Sequence, residues 1–533
     1  MRKFSSYGPV DPELHYHAPR TEMIDSAYHQ LVGEAPEKGG HYITVWAPRQ
    51  TGKSWLMLEV VKRLKKTEEF DVAIISVESA KYEKSEETVL EIFSRELSET
   101  LEKDFPKIDS WKDFSSLFTQ EYLSKPLILI IDEFDAIEED FINKFAGKFR
   151  NIYLKRMNEP DKKSHEKQYL LHGLALIGVR SVLGIENVTG SPFNVQRSVR
   201  IPNLAYKEVE GMFRWYEKES GHKIEQDVIQ RLYDEINGQP GLTCWFGELL
   251  TEGFEGYPVK KEKTVDTDVF ESVYSAALYS LPNNNILNII SKAKKEPYKS
   301  RVLEIFKTGE KIIFRYDEPD TNYLYMNGVI DMEKTGKTGY YIKFSCPFVQ
   351  KRLFNYFSNE LFRYMGRLVE PFESIADVIT AEHLSIRNLM RQYEKYLKKN
   401  REWLLKDAPR RKDMRIYEAV FHFNLYMYLF QFLAPKNGRV YPEFPTGNGK
   451  IDIIIKYSSN TYGIELKSYT DETAYRDALL QAGRYGKQMG LSEISLIFFV
   501  EQIDEQNRKK YEADYQDKVS HTKVLPVFIE TGM

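Results

Sequence analysis

The sequence predicts a multidomain α/β protein, and three observations carry that prediction. Strand-like and helix-like runs alternate from Tyr42 to about Val199. A short loop ending in Gly52-Lys53-Ser54 joins the first strand of that stretch to its first long helix. A second α/β pattern begins near Arg410 and continues to the end of the chain. At 533 residues the chain has room for three or four domains of about 100–200 residues each.

The first α/β region spans 1–205, and a helix-rich stretch, 206–260, is expected to form a separate helical layer. The stretch Glu255–Asp268 reads as a linker into a further small domain over 261–358. That domain ends in the alternating run MNGVIDMEKTGKTGYYIKF, shaped like a β-hairpin wing. A basic helical connector is expected over 359–409. The remainder, 410–533, reads as a helix, three strands, a helix and two strands. No internal repeat or low-complexity tract interrupts this order.

Apolar residues make up 42% and aromatics 14%, enough for several cores. Lysine and arginine number 75 against 79 acids, a net charge of −4. That balance excludes a surface coated in nucleic acid but leaves room for local basic patches. The two cysteines, Cys244 and Cys346, stand far apart with no metal-binding spacing. A disulfide framework and a structural zinc site are therefore excluded, and a reducing, cytoplasmic setting is expected. The opening MRKFSSYGPVDPELHYH lacks the apolar stretch of a signal peptide. No apolar run reaches the ~18 residues a membrane helix needs, so no membrane partner is expected.

The run Tyr42–Trp46 has β character and Trp55–Val61 opens a helix. Between them, Ala47-Pro48-Arg49-Gln50-Thr51-Gly52-Lys53-Ser54 meets the pattern G-x-x-x-x-G-K-[ST] except at its first glycine. Gly52, beside Gln50 and Thr51, lets backbone N–H groups close around phosphate oxygens. Lys53 meets the β and γ charges, and Ser54 offers a hydroxyl to Mg²⁺. By chance G-K-[ST] arises roughly once in every few chains of this length. The flanking strand and helix add weight, and so does Pro126–Glu133, an apolar strand ending in two acids. There Asp132 is suited to hold Mg²⁺ through water and Glu133 to polarise the attacking water. A third strand, Leu174–Val179, leads to Arg180 and Ser181, either of them a sensor candidate or merely a solvated strand end. Gly238-Gln239-Pro240-Gly241 reads by itself as a turn and helix start.

On these segments, together with Leu174–Leu204, the chain from about Tyr16 to Phe357 resembles the AAA-like ATPases of the STAND and archaeal-ATPase groups. The resemblance implies a P-loop NTPase core with a helical lid and winged helix, an ATP and Mg²⁺ site, and a homo-oligomer. It implies contact of Gly238 and Pro240 with adenine and a basic residue, Arg20, near the nucleotide. For an arginine acting on a neighbouring subunit it leaves Arg150 or Arg156. Lys334 and Lys337 at the wing tip suit phosphate contacts. The adjoining RYDEPDTNYLYMNG is acidic to neutral, which speaks against DNA reading by it, and the resemblance implies a structural or autoinhibitory winged helix.

The second chemistry lies in Tyr441–Gln502. Asp452 stands on the strand GKIDIIIKY, on the face opposite Ile451, Ile453 and Ile455. On the next strand Glu465 and Lys467 share a face, roughly 7 Å apart by strand rise. Two carboxylates at one patch can bind Mg²⁺ or Mn²⁺, and the lysine can act on water and phosphate. E-x-K alone is expected about twice in such a chain and usually marks a solvated face. A following helix carries Gln481 and Tyr485, four apart and on one side. A preceding helix carries Glu418 among Ile416, Val420, Phe421 and Leu425, as a surface residue or an outer metal ligand.

With its Q-x-x-x-Y helix, the chain from Arg410 onward resembles the RecB-like branch of the PD-(D/E)XK nucleases, a restriction-endonuclease-like α/β domain. The proline before the first aspartate is absent, since Lys450-Ile451 precede Asp452. The resemblance implies a nuclease with Asp452, Glu465 and Glu418 as metal ligands, Lys467 beside the water, and Gln481 and Tyr485 lining the DNA side. Basic residues from Arg387 to Arg415 interleave with Tyr393, Tyr396 and Trp403 and offer a nucleic-acid grip or a solvated helix. The function expected is an ATP-regulated nuclease acting on DNA rather than RNA, with microbial defence as the setting by analogy. The alternative is an ATP-dependent nucleic-acid-binding switch or loader with a non-cleaving nuclease fold.

Overall fold

Continuous apolar strands in the first third of the chain build a sheet covered on both faces. The computed structural model describes residues 1–178, 196–258, 264–307, 312–336, 339–371, 373–406, 418–443, 452–468 and 471–532. After helix α1 (Thr21–Val32) come β1 (Tyr42–Trp46), α2 (Lys53–Lys65), β2 (Asp71–Ser76), α3 (Glu86–Leu101), β3 (Leu127–Asp132), α4 (Glu139–Met157), β4 (Leu171–Gly178) and β5 (Gln196–Arg200). The five strands are parallel in the order β2-β3-β4-β1-β5. Alternate residues enter different cores, as the period of a strand requires. Ile43, Val45, Val72, Ile128 and Ile130 pack with α1 and α2 on one face. Tyr42, Ala73, Ile75, Leu129 and Ile131 pack with α3 and α4 on the other.

The helical layer consists of α5 (Tyr206–Ser220), α6 (Gln226–Ile236) and α7 (Pro240–Thr251). Asn237 ends α6 in the left-handed region, and Gln239 caps α7 by accepting the Leu242 N–H at 2.5 Å. Pro240 stands in the first turn of α7, where its missing N–H is harmless. The N-terminal segment lies along this layer: Phe4 is buried beside Phe213, Tyr16 and Tyr216.

Two short strands, β6 (Gly253–Phe254) and β7 (Tyr257–Pro258), lead to α8 (Thr267–Tyr279), α9 (Asn284–Ala293), α10 (Tyr298–Lys307) and α11 (Pro319–Met326). The alternating run then forms a two-stranded sheet of β8 (Ile330–Thr335) and β9 (Gly339–Phe344), followed by α12 (Pro347–Phe362). The chain divides into two compact units. The first is Met1–Ile289 with Arg315–Ile330, and the second is Ile290–Phe314 with Asp331–Met533.

The second unit contains α13 (Ile386–Leu404), α14 (Glu418–Leu433), β10 (Arg439–Glu443), β11 (Asp452–Tyr457), β12 (Asn460–Ser468), α15 (Glu472–Gln488), β13 (Glu493–Val500), α16 (Glu505–Tyr511), β14 (Tyr515–Gln516) and β15 (Lys523–Glu530). Its sheet runs β10-β11-β12-β13-β15-β14. The first three strands are antiparallel, while β12, β13 and β15 are parallel. The α16–β14 excursion before β15 was not read from the sequence. Helix α15 packs Ala478, Leu479 and Ala482 on Ile494, Leu496, Phe498 and Phe528. Helix α14 is apolar all round and buried, with Phe421 against Phe499 on β13. No helix among the described residues is long and apolar enough to cross a membrane.

The basic stretch differs from expectation. Arg387 pairs with Asp514 at 2.6 Å, Arg391 with Glu512, Lys395 with Glu373 at 3.2 Å, and Lys398 with Glu530 at 2.5 Å. Tyr393 and Tyr396, read as stacking groups, are buried, and the Tyr393 hydroxyl bonds Asn424 at 2.9 Å. The amphipathic helix has turned its cations onto the acids of its own unit, and its tyrosines into the core. Arg410, Arg411, Lys412 and Arg415 lie outside the described residues, as does Lys337.

Candidate functional site

At the carboxyl ends of β1, β3 and β4 the first unit gathers the loop, the two acids and the lysine read from the sequence. Gly52 caps α2 with φ of 84°, a left-handed conformation that glycine adopts freely, and no atom lies within 4 Å of where its Cβ would stand. The first turn of α2 has no side-chain cap. Its N–H groups therefore form an open, positively polarised cradle for an anion, and the fit to phosphate is good.

Lys53 folds over this loop and donates from Nζ to the carbonyls of Ala47 at 2.9 Å and Pro48 at 3.1 Å. Thr51 Oγ1 donates to the same Pro48 carbonyl at 2.9 Å. Burial pulls the Lys53 pKa down, while Asp135, Glu133 and Asp132 act to raise it. The carboxylate of Asp132 accepts the N–H of Glu133 at 2.9 Å. Glu133 itself has φ of 52°. Its carboxyl keeps a face to solvent, yet desolvation and then the charges of Asp132 and Asp135 push its pKa up. Ser54 is half-buried in the first turn of α2.

The AAA-like domain family matches residues 18–295, just over half of the chain. This chain belongs to that family.

This AAA-like ATPase binds ATP. Among solved structures, a Walker-type ATPase of Pyrococcus abyssi aligns at 14% identity over 66% of this chain and 99% of its own, with a TM-score of 0.40. Cdc6p from Pyrobaculum aerophilum aligns at 15% identity over 67% and 97%, TM-score 0.36. The RuvB Holliday junction branch migration motor of Thermotoga maritima aligns at 13% over 58% and 89%, TM-score 0.32. No curated protein matches the chain.

In the AAA-like ATPase the turn before α7 is tied to the phosphate loop. The Gly241 N–H donates to the Gln50 carbonyl at 3.0 Å, and Gln239 Nε2 donates to the carbonyls of Arg49 at 3.2 Å and Gln50 at 3.3 Å. Pro240 is thereby held beside the loop. Gly238, with φ of 64°, receives the Leu204 N–H on its carbonyl at 2.8 Å. Arg20 is buried. Its buried guanidinium donates to the Pro202 carbonyl at 2.7 Å and lies 3.7 Å from Glu208, so it braces the junction of sheet and helical layer. Burial lowers its pKa and Glu208 opposes that shift. Arg156 is corrected outright. It is 4% exposed and bonds the Tyr169 carbonyl and Ser164, leaving no surface for a neighbouring copy. Arg150 is half-buried. Arg180 and Ser181 lie outside the described residues.

Three features escaped the sequence reading. Ser6, far from the loop in sequence, accepts on its carbonyl from Gln50 Nε2 at 3.4 Å and donates to Glu248 from N and Oγ at 2.7 and 2.8 Å. Tyr325 of α11 packs on Trp46 at 5.8 Å between ring centres, and a Cβ on Gly328 would meet Pro48 at 2.9 Å. Asp135 joins Asp132 and Glu133 at the loop. Only Asp135 carried a sequence signal, an acid three residues beyond Asp132.

In the second unit, register sets Asp452 opposite Glu465 on one side and Glu443 on the other. Glu465 is 2% exposed, and its carboxylate lies 2.7 Å from Lys467 Nζ. Lys467 also donates to Gln481 Oε1 at 3.3 Å. Lys351, itself buried, pairs with Glu443 at 2.9 Å. Tyr485 is buried in the core under α15. His422, one turn beyond Glu418 on α14, is 3% exposed. Burial and then the Lys467 charge lower its pKa to about 4. Its apolar neighbours hid it in the sequence. Among the described residues no three His, Cys, Asp or Glu side chains stand together as a metal site. Asp452 and Glu418, two expected ligands, are described by backbone alone.

Proposed function

We propose that this AAA-like ATPase is an ATP-regulated, metal-dependent nuclease that hydrolyses phosphodiester bonds, with DNA as substrate. The observation that carries this reading is the strand pair β11–β12, where Asp452 and Glu465 are register partners and Lys467 joins Glu465 to Gln481 of the following helix. Two acids in register, with a lysine and a glutamine joined to one of them, suit phosphodiester hydrolysis better than a solvated strand face.

In the nucleotide site Lys53 exchanges its bonds to Ala47 and Pro48 for the phosphate oxygens of ATP. Glu133, its pKa raised, accepts the proton of the attacking water. Ser54 and Asp132 would hold Mg²⁺, which neutralises phosphate charge when bound. In the second site Asp452 and Glu465 would hold Mg²⁺ or Mn²⁺, with Glu418 outside them. Lys467, beside the buried Glu465, steadies the negative charge that grows on the phosphate. Gln481 orients the Lys467 ammonium. We further read 261–358 as a winged-helix domain, 410–533 as the nuclease domain, and the active state as a homo-oligomer.

The test is cleavage of supercoiled DNA, single-stranded DNA and RNA with Mg²⁺ or Mn²⁺, with and without ATP, beside Asp452→Ala and Lys53→Ala. Cleavage lost in the first variant and altered in the second establishes the proposal. Binding without cleavage, unchanged by Asp452→Ala, favours an ATP-dependent binding switch instead.

A further inference from the structure

Helix α13 turns Arg387, Arg391, Lys395 and Lys398 onto acids of its own unit, but its last turn ends differently. Trp403 is 48% exposed there, and Tyr364, on the turn that follows α12, is 76% exposed. The two rings adjoin one stretch of backbone. A Cβ on Gly366 would stand 3.5 Å from Trp403 Cζ2 and 3.8 Å from Cη2, so the indole edge rests two residues from Tyr364. Between Tyr364 and Gly366, Met365 is buried, its carbonyl accepting from the Tyr396 hydroxyl and its sulfur from Asn424 Nδ2 at 3.8 Å. The indole N–H donates to Asn400 Oδ1 at 3.1 Å. Both rings are thus carried on anchored backbone and stay open to water. The charge beside them is unbalanced. Arg363, Arg367 and Lys406 are exposed, and none of them pairs with a carboxylate among the described residues. The Arg363 guanidinium lies 5.6 Å from the Tyr364 ring centre. Lys399 is held by Glu370, and Glu402, next to Trp403, offsets the cations only in part.

The geometry points to the Tyr364–Trp403 surface as a stacking platform for single-stranded DNA, with Arg363, Arg367 and Lys406 on the phosphates. Single exposed aromatics are ordinary, whereas two on one turn beside unpaired cations supply both parts of such a platform. The rings take base faces, and the cations follow the backbone charge. Duplex DNA keeps its base faces covered, so only unpaired bases can use the rings. A protein partner fits less well. Leu361, Leu368 and Val369 of the same segment are not exposed, so the patch lacks the aliphatic area such a contact buries. The choice of DNA rests on the nuclease reading.

The experiment titrates the full chain into fluorescein-labelled oligo(dT) and into an abasic strand of equal length, followed by anisotropy. EDTA is present, so no cleavage intervenes and the result stands whether or not the protein cuts DNA. Trp403→Ala and Tyr364→Ala each weaken oligo(dT) binding about tenfold. Their melting midpoints stay at the wild-type value, because both side chains are exposed. Trp403→Phe, which keeps a flat ring, retains most of the affinity. On the abasic strand wild type and both alanine variants bind alike, since no base is left to stack. Arg367→Gln weakens binding to both strands, as a phosphate contact must. Unchanged oligo(dT) affinity in the two alanine variants overturns the inference. Equal weakening on both strands does so too, because it leaves stacking no part. Altered sedimentation of the variants with oligo(dT) affinity kept also overturns it, and assigns the patch to contact between copies of the chain.

Discussion

The ammonium of Lys467 lies 2.7 Å from the carboxylate of Glu465, two residues earlier on the same strand. Both are largely withdrawn from water, with side chains 12% and 2% exposed. A pair this buried is costly to break from one side, because the remaining charge keeps its desolvation penalty without its partner.

Lys467→Met should therefore destabilise the second unit by roughly 3–5 kcal/mol, the penalty typical of breaking a buried pair. The double variant Glu465→Gln/Lys467→Met should recover most of that loss. Denaturant midpoints of the two proteins decide it, and equal midpoints for Lys467→Met and wild type would refute the coupling.

Gly241→Ala should weaken ATP binding. A Cβ there would meet Gln50 Oε1 at 2.6 Å and, less avoidably, Gln50 Cβ at 2.7 Å. The loop must then retreat from the turn that hydrogen-bonds it. A loss of about tenfold in mant-ATP affinity, equivalent to about 1.4 kcal/mol, is the expected scale. Unchanged affinity would mean that the loop does not depend on this latch.

Acid should destabilise the first unit through His172. The ring is held neutral, with Nε2 donating to the Val32 carbonyl at 3.0 Å and Nδ1 accepting from Ser164 Oγ at 2.8 Å. Burial, with Arg156 and Lys167 nearby, lowers its pKa from 6.5 to about 4. The unfolded chain takes up a proton in that interval and the folded chain does not. The associated stability is present above pH 6.5 and lost as pH falls toward 4, by roughly 3 kcal/mol. Urea midpoints at two pH values should fall more steeply for wild type than for His172→Gln. Parallel slopes would assign the acid sensitivity to other groups.

Arg391→Ala should cost stability rather than nucleic-acid affinity. Its guanidinium holds Glu512, Glu394 at 3.2 Å and the Phe528 carbonyl at 2.8 Å. Losing charge-assisted bonds of this kind costs about 1.5–3 kcal/mol. A thermal shift without change in DNA retention on filters is the expected result. The reverse outcome would restore α13 as a nucleic-acid surface.

What the sequence by itself determined is local arrangement carried by short spacing. The strand–loop–helix order around Gly52, Lys53 and Ser54 was legible, as was the apolar strand ending at Asp132 and Glu133. So was the alternation that sets Glu465 and Lys467 on one face. In each case the residues concerned lie on one element or on its direct continuation, so local periodicity records them. The tertiary structure alone decided the order β2-β3-β4-β1-β5, the contact of Gly241 with Gln50, the bracing role of Arg20 and the burial of Arg156. It also turned the basic helix inward, onto Glu512, Asp514 and Glu530, which lie 121, 127 and 132 residues beyond their partners. The physical reason is that a cation on an amphipathic helix reads the same whether it faces water, phosphate or a distant carboxylate, and only the packed chain determines which of these it meets.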